Sequence, residues 1–395
     1  LDKNGVELEG FPYMVGDQIW ASAASGDLSG DGSLEFVIAS KDNKIYIFDQ
    51  FGLKTTYNAN SYLIGTPAIG NLDSDSDLEI VFAGYSSSER NIYVINEDGS
   101  DVSGFPLDIG EKTLRGVALA DFDGNGLDDI IVGTDNRRLH LISDSAEILW
   151  SYDTEDKVQI APVIVSYEDE KTIIAGCKDG LIYALNEDGT LRFSYTTDND
   201  ISTSPSFAIV NDDVYMFFGN DDGMVYAMDL NGSMLENWPI SLNGSIVGSI
   251  VHADINGDLE NELIAVTDEG DLSILSYDAE LFELYPMINE FGYSGAPSLY
   301  DLDNDGDLEI LAGTLYSINV IDTKGISAIG DSDWSVHRGN NSRNGCRFYE
   351  SSGTPDCNYG DVNSDSIIDI LDIVLTVNIV MGNYNPNSTE VCASD

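Results

Sequence analysis

A run of alternating apolar residues that ends in a tight turn recurs seven times along the chain. The copies are IYIFDQFG from Ile45, IYVINEDGS from Ile92, LHLISDSAE from Leu139, IYALNEDGT from Ile182, VYAMDLNGS from Val225, LSILSYDAE from Leu272 and INVIDTKG from Ile318. Their starts are 47, 47, 43, 43, 47 and 46 residues apart. Alternation with period two writes a half-buried strand, and a repeat in the forties with several such strands per unit is the spacing of propeller blades rather than of helical solenoids. One unit reads as four strands in order, GVALADFD, DIIVGTD, RRLHLISDS and EILWSYD. Seven units therefore predict an all-β, seven-bladed β-propeller of four-stranded blades.

The two ends of this array complement each other. Fourth strands end alike in GSDVSGFP at Gly99 and GSMLENWP at Gly232, and NGVELEGFP at Asn4 has the same ending without the strands that should precede it. The unit that begins INVIDTKG at Ile318 lacks such an ending, so the N-terminal strand is expected to complete the last blade and remove an exposed sheet edge. An open solenoid or a pair of sandwiches gives that half-repeat no role. The expected organisation is a propeller over residues 1–345, a linker over 346–358 and a small C-terminal segment over 359–395.

Between their first and second strands, five units place oxygen-bearing side chains at alternate positions. The sets are Asp27, Ser29, Asp31, Ser33 and Glu35; Asn71, Asp73, Asp75, Asp77 and Glu79; Asp121, Asp123, Asn125, Leu127 and Asp129; Asp254, Asn256, Asp258, Glu260 and Glu262; and Asp301, Asp303, Asp305, Asp307 and Glu309. Around a tight turn, positions 1, 3, 5 and 9 converge and position 7 supplies its carbonyl, an arrangement of hard oxygens suited to Ca²⁺. Position 8, Leu in three loops, is expected to anchor the loop on its blade. Units four and five, VSYEDEKTIIAG and IVNDDVYMFFG, shorten the loop and lose the spacing, and they belong to the two 43-residue steps. About five calcium ions are expected in the propeller.

These DxDxDG-type loops behind an apolar strand resemble the FG-GAP/VCBS family of calcium-binding propeller repeats. KDGLIYALNEDGTLRFSY and DDGMVYAMDLNG, from units four and five, are similar to PQQ-like repeats, although the few, scattered basic residues do not predict a quinone pocket. DWSVHRGNNSRNG at Asp333 resembles the Trp-and-Arg-Gly ending that follows many such propellers. The resemblance covers residues 1–345 and implies a ring and calcium without implying one activity.

The pattern then changes. Asp361, Asn363, Asp365, Ile367 (through its carbonyl), Asp369 and Asp372 occupy positions 1, 3, 5, 7, 9 and 12 of an EF-hand-type loop that leads into the apolar run IVLTVNIVMG, and one further calcium ion is expected there. The segment resembles half of a dockerin. That resemblance implies a cohesin-like partner, whereas the single repeat leaves a removed second half, self-association or packing on the propeller as the alternatives.

Seventy Asp and Glu face 17 Lys and Arg, a formal net charge of −53. Such a surface repels nucleic acid and anionic membranes and attracts divalent cations. No apolar run is long enough to insert into a membrane. Of the four cysteines, Cys177 reads as a core thiol, and Cys357 and Cys392 could pair in an oxidising compartment, with Cys346 beside them. His140 and His252 read as strand-packing residues, and His337 is the better functional candidate. No catalytic residue is expected, because nucleophile-elbow, zinc and phosphate-loop motifs are absent and the carboxylates are accounted for by the loops. These features point to a secreted or cell-surface, calcium-stabilised module that offers a loop face to a glycan or protein. A polysaccharide lyase or related carbohydrate-active enzyme on the same ring, and a structural subunit of an extracellular assembly, are the alternatives.

Overall fold

In each repeat the apolar strand ahead of the acidic loop becomes the innermost strand of a blade. The seven are Ala24–Gly26, Ala68–Gly70, Ala118–Ala120, Val163–Tyr167, Ser206–Val210, Val251–Ala253 and Ser298–Tyr300, and each opens an antiparallel sheet whose strands follow in sequence order. The computed structural model describes residues 6–8, 10–167, 170–201, 203–210, 213–258, 260–324 and 334–349. The chain divides into two units, Leu1–Ser166 with Glu170–Phe348, and Tyr167–Asp169 with Tyr349–Asp395. The second includes the dockerin-like segment with Asp361, Asn363, Asp365, Ile367, Asp369 and Asp372, which lies outside the described residues, as do Cys357 and Cys392.

The first unit is the seven-bladed propeller, all-β, with no helix among the described residues. The seven sheets hold four strands each, apart from the fourth and the seventh. The fourth gains Cys346–Tyr349 as a fifth strand beside Val163–Tyr167. The seventh has three strands among the described residues, Ser298–Tyr300, Glu309–Gly313 and Ile318–Asp322. The N-terminal segment meets blade 1 as a fourth-strand segment meets the next blade. A Cβ on Gly10 would touch Phe51 and Gly52, just as one on Gly104, before the fourth strand of blade 2, would touch Ser145 and Ala146 of blade 3. Among the described residues, no strand of the N-terminal segment pairs with Ile318–Asp322, and residues 1–5 and 9 are outside the described set.

Apolar side chains lie between blades, not within one sheet. Val37, Ile45 and Ile47 of blade 1 pack on Ile69, Ile80 and Phe82 of blade 2, and the same joint recurs between blades 2 and 3, 3 and 4, 5 and 6, and 6 and 7. Near the axis the strands crowd, which explains their small residues. A Cβ on Gly70 would fall 2.4 Å from Asp128 Oδ2 and 2.8 Å from Leu119, so only glycine fits.

The axial edges of the inner strands would leave a ring of unpaired amides in the centre. The segment from Trp334 to Gly345 supplies the acceptors. In six of the seven blades the second residue of the inner strand donates inward: Ser25 to Asn341 O (2.8 Å), Ile69 to Ser342 O (2.8 Å), Leu119 to Asn344 O (2.9 Å), Ile164 to Gly345 O (2.8 Å), His252 to Trp334 O (3.1 Å) and Leu299 to Ser335 O (2.8 Å). The Phe207 ring, in the equivalent place on blade 5, meets the Trp334 ring edge-on at 5.6 Å. One short strap thus touches the inner strand of every blade. Trp334 is fully buried, so Trp334→Ala should lower stability by about 3–5 kcal/mol through cavity formation, read from the midpoint of urea unfolding. A loss below about 1 kcal/mol would mean that the strap is peripheral to the fold.

Candidate functional site

The five acidic loops all lie at the C-terminal ends of the inner strands, and their geometry repeats. Position 9, which is Glu35, Glu79, Asp129, Glu262 or Glu309, is buried at the start of the second strand with at most 5% of its surface exposed. One of its oxygens accepts the amide of position 2: Leu28 to Glu35 (3.1 Å), Leu72 to Glu79 (2.6 Å), Phe122 to Asp129 (3.0 Å), Ile255 to Glu262 (3.0 Å) and Leu302 to Glu309 (2.6 Å). Position 5 accepts the amide of position 7, as Asp31 does from Ser33, Asp75 from Asp77, Asn125 from Leu127, Asp258 from Glu260 and Asp305 from Asp307. Gly32, Gly126 and Gly306 at position 6 have φ near +90°, the left-handed turn that closes the loop.

Three of the loops bring carboxylates together. Asp73, Asp75 and Glu79 converge in blade 2, Asp121, Asp123 and Asp129 in blade 3, and Asp301, Asp303 and Glu309 in blade 7, where Asp305 and Asp307 also meet Glu309; within each group one oxygen per residue lies within 4.8 Å of the others. Buried oxygens of Asn71, Glu79 and Asp307 have no hydrogen-bond partner, a cost that a hard cation would remove. In blade 6, Asn256 Nδ2 donates to Glu262 (2.7 Å) and Asp258 (3.1 Å). In blade 1, Ser29 at position 3 brings no carboxylate and the Lys54 ammonium sits 3.2 Å from Glu35, an ion pair that no other position-9 carboxylate makes among the described residues. The position-8 anchor is not uniform: Leu308 is buried and Leu78 half-buried, but Leu34 is 62% exposed. Position 2 has the larger share of buried side chains, with Leu28, Leu72 and Ile255 inside.

At the other end of the inner strands, the segments leading into them surround an axial cavity of about 460 Å³, lined by residues of all seven blades and by His337 of the strap. Trp20 lines it and is 60% exposed, with the Lys41 ammonium 4.1 Å from its ring centroid. His337 Nδ1 lies 2.9 Å from Ser249 Oγ. Burial, and then the charges of Arg338, Arg343 and Arg115, push the imidazole pKa down to about 3, so it is neutral at physiological pH. His140 instead joins Ser151 and Glu111 (2.7 and 3.2 Å), and His252 is fully buried against the Phe207 carbonyl (2.7 Å). Cys177 and Cys346 are buried free thiols.

Two family profiles match parts of the chain: the Lambda-carrageenase beta-propeller domain over residues 110–204, and the FG-GAP-like repeat over residues 71–132. The second match spans the acidic loops of blades 2 and 3, where carboxylates converge. No curated protein matches. Among solved structures, two crystals of BBS1N in complex with ARL6DN, soaked with lead or with mercury, match at 16% identity over 79% of this chain and 95% of theirs, with TM-scores of 0.55 and 0.56. BamB from Moraxella catarrhalis matches at 14% identity over 77% of this chain and 98% of its own, with a TM-score of 0.48. At 16% identity the likeness to the first two is one of fold.

The acidic loops have an electrostatic signature of their own. Burial, opposed by the hydrogen bond from the Leu72 amide and reinforced by Asp73 and Asp75, raises Glu79 to about 7; Glu262 rises to about 7 and Asp129 to about 6 for the same kinds of reason. Without a cation, the folded chain therefore holds protons that the unfolded chain releases above its ordinary carboxylate range. Stability in chelator should fall as pH rises from about 4.5 to about 7, and Glu79→Gln should flatten that fall. Thermal unfolding in excess chelator across this range checks the sign; stability that rises throughout would contradict it.

Proposed function

We propose that this chain is a secreted or cell-surface β-propeller that is braced by calcium on one face and binds a glycan in the axial cavity on the other, without itself catalysing a reaction. The observation that carries the reading is the exposed Trp20 indole on the cavity wall. An aromatic face beside polar groups is the usual platform for a sugar ring, whose C–H face is apolar and whose hydroxyls need hydrogen bonds. The match of residues 110–204 to a carrageenase propeller domain supports a polysaccharide over a protein ligand. The same match favours one second reading, a carbohydrate-active enzyme on this ring, and release of new reducing or unsaturated ends from a polysaccharide would establish it.

Calcium supplies the brace. Oxygen-only ligands at alternate loop positions, partnerless buried oxygens and the excess of 70 acidic over 17 basic residues all favour a hard divalent cation. Such loops saturate where calcium is abundant, which is outside the cell. The propeller should take about five ions, the blade 1 loop most weakly because Lys54 already neutralises Glu35. The C-terminal loop is expected to add one more, and the apolar run that follows it leaves a cohesin-like partner or a second copy as its occupant.

Calcium added to the chelated protein near neutral pH should raise the melting temperature by on the order of 10 °C or more. With calcium bound, the pH trend should reverse, because protonation then competes with the ion. On the other face, saccharide titration should quench Trp20 fluorescence, and Trp20→Ala should weaken binding by about tenfold or more, the scale of a lost aromatic platform. No binding across neutral and acidic polysaccharides would refute the glycan reading, and a melting temperature indifferent to chelator would refute the calcium brace.

A further inference from the structure

Three guanidiniums gather at the base of the axial cavity, and none meets a carboxylate. Arg338 is fully buried; its Nε donates to Arg343 O (2.7 Å), its Nη2 donates to Val117 O, and its Nη1 has no hydrogen-bond partner. Arg343 donates to Ala23 O (3.0 Å) and His337 O (2.6 Å), and Arg115 Nε donates to Gln159 O (3.0 Å). Every one of these acceptors is a neutral backbone carbonyl. Ion pairs elsewhere in the described residues engage Lys54, Arg137, Arg138, Lys178, Arg192 and Lys324, but not these three. In a chain with 70 acidic side chains, this is not for want of carboxylates.

Carbonyl dipoles solvate a guanidinium without cancelling its charge, and a buried charge left uncancelled is costly. The geometry opens that charge toward the cavity. Arg115 is exposed and lines the wall, with only its Nε committed, so its two terminal nitrogens are available for a bidentate contact. Beside it, Gly116 forms the wall in front of Arg338: a Cβ there would lie 3.5 Å from Nη1 and 2.6 Å from Thr66 O, so glycine leaves the guanidinium charge close beneath the surface. His337 Nδ1 is taken by Ser249, which leaves Nε2 as the imidazole's contact to the cavity. Asp221 and Asp268, from blades 5 and 6, also line the cavity; Asp221 shares a recess with Arg115 and Lys178, and Asp268 already accepts the Ser245 amide (2.8 Å).

We infer that the base of the axial cavity is an oxyanion site, with Arg115 as its direct ligand and Arg338 and Arg343 as fixed charge beneath, which takes the carboxylate or sulfate group of an acidic saccharide. This rests on the glycan reading above and narrows it to a class. Trp20 carries the sugar ring, and the arginines select the charged substituent.

The test titrates the intact, calcium-loaded protein at physiological ionic strength with three oligosaccharides of matched length: a neutral galactan, its sulfated form and a uronate chain. At least one charged oligosaccharide should bind tenfold or more tightly than the neutral one, and the arm that does so distinguishes sulfate from carboxylate. Arg115→Ala should remove the preference without moving the melting temperature, Arg115→Lys should restore part of it, and sodium sulfate should compete. Equal affinity for neutral and charged chains, or a preference that survives in Arg115→Ala, overturns the oxyanion site while leaving Trp20-dependent glycan binding intact. If none of the three binds, both readings fall.

Discussion

Six inner-strand amides, from six different blades, converge on the carbonyls of one short segment, Trp334 to Gly345. The rest of the molecule depends on that convergence. A ring of sheets necessarily turns the edges of its innermost strands toward the axis, and unpaired amides buried there would each carry a desolvation cost. The strap satisfies them while adding Trp334 to the core and closing the ring's centre. It also turns an open channel into a floored cavity, and it brings His337, Arg338 and Arg343 to the one place where groups from all seven blades meet.

The two ends of the inner strands differ in electrostatic character. At one end, five loops gather carboxylates whose ninth members are buried and, in blades 2, 3 and 6, raised in pKa. At the other, guanidiniums collect with carbonyl partners only. Repulsion among carboxylates invites a cation, and uncancelled arginine charge invites an anion. Each end is therefore incomplete in the opposite sense, and a chain of such strong net charge can accommodate both because the length of the inner strands separates them.

The ring was legible because its signal is local and repeated: alternation with period two marks a strand anywhere, and a step of 43 to 47 residues repeats the blade. The acidic loops were legible for the same reason, since spacing along seven or nine residues fixes which oxygens can converge. What spacing could not reveal was what comes in from elsewhere. Lys54 reaches Glu35 from the outer strand of its blade, and Leu34 turns outward although its counterpart Leu308 turns in. The strap read only as an ending. DWSVHRGNNSRNG has no periodicity, and its partners are backbone amides tens to hundreds of residues away. Arg115 and Trp20 were missed entirely, because each sits in an irregular connection whose place at the axis exists only once the ring has closed. Two arginines five residues apart, in a chain with 17 basic residues in all, were the one available hint.

Hydrogen exchange on the calcium-loaded protein, with and without a bound acidic oligosaccharide, addresses the division of labour between the two faces most directly. The account predicts that the amides of Ser25, Ile69, Leu119, Ile164, His252 and Leu299 exchange only through global unfolding, and that the saccharide adds protection in the segments around Trp20 and Arg115 while leaving the acidic loops unchanged. Rapid exchange at those six amides, or saccharide-dependent protection confined to the acidic loops, would contradict it.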